Sequence, residues 1–148
     1  TLPAGSNQIT TKSIEQNIGI SKDFNRFELT KALGEKNVLK ANRIADYFAH
    51  NPNANPLILT LAAIHQYFLK VFKLHFIKDK TRENLARELG VNPFFVGEYQ
   101  SAARKYNPKK CVEIFELLRD YDMRSKGMNN GSTDHGELLK ELIFKIIH

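Results

Sequence analysis

Cys111-Val-Glu-Ile-Phe-Glu-Leu-Leu-Arg-Asp-Tyr-Asp-Met-Arg-Ser-Lys-Gly127 reads as one amphipathic helix, and its closing turns decide the fold. Val112, Phe115 and Leu118 recur at the spacing of a helical face. Asn129-Asn-Gly-Ser-Thr133 follows as a polar turn, and Glu137 to Ile147 as a last apolar helix. Asp122 and Lys126 stand one helical turn apart at the mouth of this hairpin, acid first. On an exposed helix such a pair contributes about 0.3–0.5 kcal/mol. A lysine in a last turn can also satisfy helix-end carbonyls and so fix the turn that follows. Both readings make the pair structural.

The same signals recur along the chain. Asn55-Pro56, Asn92-Pro93 and Asn107-Pro108 each set a capping side chain before a proline, whose missing N–H costs nothing at a first helical position. Asn25-Arg-Phe-Glu28 has capping-box spacing, and Gly19, Gly34, Gly90 and Gly127 stand where helices are expected to stop. Between them the apolar residues step by three and four, and no segment sustains the alternation of a half-buried strand. The reading is all-α, with helices near 12–18, 26–33, 38–49, 56–77, 82–89, 93–105, 108–126 and 134–147. Gly19 to Phe24 is the expected lobe boundary. This divides the chain into a linker and helical remnant at 1–24 and a helical bundle at 25–148.

A chain of 148 residues with 42% hydrophobic content can bury one good core, or a larger and a smaller lobe. One cysteine, Cys111, forbids an internal disulfide and fits a reducing, cytoplasmic setting, with a buried apolar role for the thiol. The chain starts at Thr1 and shows no secretory signal pattern, which suggests a piece of a longer protein. The apolar run Leu57 to Ile77 is long enough to span a bilayer but carries His65, Gln66, Lys70, Lys73 and His75. A lysine at the centre of a membrane helix costs roughly 2.5–3.5 kcal/mol, so a core helix is the expectation. The net charge of +6 is uneven: residues 70–110 hold ten Lys/Arg against four Asp/Glu, and residues 111–148 hold five against seven. A basic middle beside an acidic end permits nucleic-acid contact or a charged face meeting a partner; an ordinary solvated surface explains it as well.

No residue set calls for catalysis, metal or cofactor. There is no glycine-rich phosphate loop, the five histidines are scattered, and no Ser, Cys or His meets a matching base at a recognisable spacing. Thr81 to Val96 has the outline of a helix-turn-helix, but its second helix opens on Pro93-Phe94-Phe95-Val96, which wants a core or a partner rather than a major groove. Arg104, Lys105, Lys109 and Lys110 remain candidate phosphate contacts without sequence preference.

Three blocks together resemble one family. They are Phe27-Glu-Leu-Thr-Lys-Ala-Leu33 with Lys40-Ala41; Ala86-Arg-Glu-Leu-Gly-Val-Asn-Pro-Phe-Phe-Val96 running into Ala103-Arg-Lys105; and Leu117-Leu-Arg-Asp-Tyr-Asp122 with Lys126-Gly127. Their order and spacing are similar to the C-terminal portion of the delta subunit of bacterial DNA polymerase III, the wrench subunit of the sliding-clamp loader. The resemblance covers roughly residues 9–147. It implies that residues from about 25 onward form the helical collar through which loader subunits associate into a ring of five, and that the first residues are the tail of the preceding lid domain. Asp122 and Lys126 match the family's D-x-x-x-K signature, and Phe94, Phe95 and Val96 its apolar stretch. The polar turn Met128 to Thr133 departs from it.

The implied function is non-catalytic. The chain would join other loader subunits in a hetero-pentamer, meeting the sliding clamp and primer-template DNA through the complete assembly. Apolar faces with polar rims hold such interfaces, which makes Phe94, Phe95, Tyr99 and Tyr106 the candidate contacts, with core packing the alternative for each phenylalanine. Phe94→Ala is expected to harm folding more than association. A basic helical module binding DNA or RNA through residues 70–110 stays open as a second function, and an enzyme domain completed by missing residues as a third.

Overall fold

The computed structural model describes residues 23–127 and 134–148; the expected helix at 12–18, nearly all of the 1–24 segment and the turn at 128–133 lie outside them. Among the described residues there are seven α-helices and no strand: α1 Arg26–Glu35, α2 Val38–His50, α3 Leu57–Leu74, α4 Arg82–Leu89, α5 Val96–Lys105, α6 Pro108–Ser125 and α7 His135–Ile147. A short 3-10 turn, Pro93–Phe95, leads into α5.

Helix α3 is the axis. It packs against α1, α4, α5, α6 and α7, while α2 is held by α1 and α7. The row Thr60, Ile64, Phe68 and Val71, at steps of four, four and three, is fully buried along its inner side. Leu29 and Leu33 of α1, Ile114 of α6 and Leu142 of α7 complete the same core.

Local chemistry sets the helix ends. The side chains of Asn25, Asn37, Asn92 and Asn107 accept hydrogen bonds from the backbone N–H of Glu28, Lys40, Phe94 and Lys110 at 2.8–3.1 Å. Gly90 and Gly127 close α4 and α6 at φ 68° and 78°. Two expected signals are corrected. Asn55 does not cap α3; its side chain donates back to the Asn51 carbonyl at 3.1 Å, and α3 begins after Pro56. Gly34 does not end α1, whose left-handed cap is Lys36 at φ 55°. Gly34 lies under the Tyr67 ring, where a Cβ would overlap the hydroxyl and sit 2.9 Å from Cζ. The expected helix to residue 77 stops at Leu74, where Lys80 Nζ donates to the Leu74 carbonyl at 2.5 Å.

Candidate subunit interface

Helix α3 has the length and composition of a membrane span, with mean hydropathy 1.4, yet is only 44% buried. The sequence reading of a buried core helix therefore holds for one side of it. Along the other side run Ile58, Ala62, His65, Leu69, Phe72 and Phe76, at alternating steps of four and three, all exposed or half-buried. Ile58 is 55% exposed and Phe76 64%. Rings join this stripe to α6: His65 lies 5.4 Å from Phe115, Phe115 lies 5.7 Å from Phe72, and Phe72 lies 5.1 Å from Phe76. Between α3 and α6 runs an open groove of about 560 Å³, with Leu61, Phe115 and Leu118 at its floor and Arg119, Asp122 and Lys126 on one wall. Exposed apolar surface arranged in a continuous helix-long track marks an interaction site.

The aromatic residues singled out from the sequence divide. Phe94 is 75% exposed and touches Phe95 edge-on at 5.3 Å; Phe95 in turn meets Phe27 of α1 at 5.4 Å. Tyr99 is half-buried, its ring 5.1 Å from Tyr67. Phe27, Phe95 and Tyr99, with Val91 and the Lys31–Glu98 ion pair at 3.5 Å, edge a smaller hollow of about 250 Å³. Tyr106 is no part of a surface. It is fully buried, its ring 4.9 Å from Phe68, and its hydroxyl donates to the Leu33 carbonyl at 2.6 Å. Phe27, 52% exposed, is the member that the site reading missed; its place in the family block was the available signal.

The candidate phosphate contacts also divide. Lys105 Nζ donates to the Glu35 carbonyl at the end of α1, and Lys110 Nζ to the Lys145 carbonyl near the end of α7, each at 3.3 Å. Both neutralise helix C-termini. Arg104 and Lys109 are exposed. Lys126 Nζ lies 3.0 Å from Asp122 Oδ2. The end of α6 is closed by backbone groups, with Lys126 N–H donating to Asp122 and Met123 carbonyls and Gly127 N–H to that of Arg124. His135, unread in the sequence, ties α7 to α6: its Nε2 donates to the Ser125 carbonyl at 3.0 Å.

Burial pushes the Cys111 thiol up to about 11 and raises the Tyr67 and Tyr106 phenols well above their ordinary range. A thiol held so far from ionisation is a packing group, not a nucleophile. Among the described residues no three His, Cys, Asp or Glu side chains are grouped to hold a metal ion.

A compact helical bundle with long apolar tracks left uncovered is the surface of a protein that works against other proteins. The sequence model of the family described as DNA polymerase III delta subunit, C-terminal domain, matches residues 23–146. The chain belongs to that family, a non-catalytic component of the clamp loader in DNA replication that acts in a complex with the other loader subunits. No curated protein and no solved structure gives a significant match to the chain.

Proposed function

We propose that this chain is the collar of its loader subunit: the layer that joins it to neighbouring subunits in a hetero-pentamer in the cytoplasm, with clamp and primer-template DNA met only through the finished assembly. The α3–α6 track carries the reading. Ile58, Ala62 and Leu69 of the most apolar helix, and Phe76 just beyond its end, are exposed, while His65 and Phe72 between them are half-buried against Phe115. Mixing the chain with the remaining loader subunits of the same organism, followed by light-scattering chromatography, tests it. Incorporation into one defined complex supports the collar. Exclusion from a complex that the other subunits form among themselves overturns it.

Direct nucleic-acid binding through residues 70–110 is the weaker reading. Lys105 and Lys110 are held on carbonyls at two helix ends, and Lys73 Nζ donates to the Glu88 carbonyl at 2.7 Å. Affinity for DNA falling steeply with salt, and lost on neutralising Lys105, Lys109 and Lys110, would restore it.

A further inference from the structure

The charged side chains that line the α3–α6 groove, Arg119, Asp122 and Lys126, all come from the α6 side, and the stripe on α3 is bordered beyond the groove by lysines. Helix α3 carries Lys70 and Lys73 and no Asp or Glu. Placed around a 3.6-residue turn, Lys70, Lys73 and Gln66 border the apolar stripe on the side away from α6. The opposite wall brings Arg119 and Lys126. The wall's one carboxylate, Asp122, is already 3.0 Å from Lys126. Lys73 Nζ is turned onto the Glu88 carbonyl at 2.7 Å and Lys126 is matched to Asp122, so the cations that flank the apolar track are Lys70 beside the stripe and Arg119 on the groove wall. The track also has the dimensions of a helix: α3 is 18 residues, about 27 Å at 1.5 Å per residue.

We infer that this groove seats an α-helix of a neighbouring loader subunit whose apolar stripe, repeating every three to four residues, is bordered on both sides by Asp and Glu. The inference rests on the collar reading and gives its interface a location and a charge sense. The apolar stripe supplies the burial; the acidic margins meeting Lys70 and Arg119 set orientation and reject helices with basic margins.

The test uses the whole chain and the reconstituted remainder of the loader, with incorporation measured at low and high salt. Leu69→Glu interrupts the stripe. The double variant Lys70→Glu/Arg119→Glu reverses one charge on each side of the track, and thermal melts check that both variants fold, Leu69 and Arg119 being exposed and Lys70 half-buried. The expected result is loss of incorporation by Leu69→Glu, a weakening on the order of tenfold by the charge reversal, and weaker binding of the unaltered chain at high salt. Loss with Leu69→Glu alone, the charge reversal being neutral or favourable, overturns the acidic-margin partner and leaves the collar standing. Normal incorporation of every variant overturns the groove as the interface. Self-association of the chain alone, abolished by Leu69→Glu, makes the occupant a second copy and overturns the proposal. Partition onto anionic phospholipid vesicles, lost with the same variant, overturns it too.

Discussion

Tyr106 and Leu33 are joined across 73 positions of sequence by one buried hydrogen bond, the tyrosine hydroxyl donating to the leucine carbonyl at 2.6 Å. The bond fastens the end of α5 to α1, and Lys36 Nζ sits 4.8 Å above the same ring. The Leu33 carbonyl also accepts the Lys36 backbone N–H at 3.0 Å, so it keeps a partner if the hydroxyl is removed. Tyr106→Phe is therefore expected to cost only about 1 kcal/mol, the net worth of one hydrogen bond, rather than the larger penalty of an orphaned carbonyl. The denaturation midpoint reads this directly, and incorporation into the loader is expected to stay as it was.

Gly34 lets α1 pass close under the Tyr67 ring of α3. Gly34→Ala raises helix propensity but drives a methyl into the Tyr67 hydroxyl. Overpacking wins, and a net destabilisation of about 1–3 kcal/mol is expected. Adding Tyr67→Phe removes the nearest atom while Cζ stays 2.9 Å away, so the double variant should recover part of the loss. An alanine variant as stable as the parent would mean that the ring swings aside freely.

These two contacts also show where sequence reading stops. Helix ends were legible wherever the determinant is local: Asn92-Pro93 and Asn107-Pro108 cap as their chemistry dictates, and α4 ends at Gly90. Gly34 looked like another stop, because its reason for being glycine lies 33 residues away in Tyr67. Asn55 was misread since a carbonyl one turn back competes for its side chain. The interface was legible as a kind of surface and poorly as a place. Hydropathy marks α3 as the most apolar helix but cannot say which of its sides the bundle covers. Nor can a tyrosine's sequence neighbours tell a buried Tyr106 from a half-exposed Tyr99. The three-block family pattern, by contrast, needed no geometry, and the family match over residues 23–146 agrees with it.

Glu141 links α7 to α6 and makes stability depend on acid. Its Oε1 accepts from the Tyr121 hydroxyl at 2.5 Å and lies 3.3 Å from both Arg124 Nη1 and Lys145 Nζ. The Tyr121 hydrogen bond first, then the two cations, hold its carboxyl below the ordinary 4.5. A depressed folded pKa contributes stability that is present above the unfolded value and lost as pH falls through the folded one. The urea midpoint is thus expected to be level near neutrality and to fall below about pH 4.5. Tyr121→Phe should lower the midpoint at pH 7 and flatten that acid limb. A variant with an unchanged acid limb would remove Glu141 as its cause.

Phe94 reverses the expectation drawn from sequence. At 75% exposure, with its ring resting only on the edge of Phe95, it has little burial to lose. Phe94→Ala should change stability by no more than about 0.5 kcal/mol, as for other surface substitutions. Phe95→Ala is expected to cost more, since Phe95 is half-buried between Phe27 and Phe94. Melting curves of the two variants separate the cases. A clear gap between them assigns Phe95 to the packing of α1 against the 3-10 turn and leaves Phe94 free for a second, smaller contact in the loader. A loss of about 2 kcal/mol from Phe94→Ala would instead show that the pair acts as one structural unit, because an exposed ring of this kind can matter to folding only through the neighbour it holds in place.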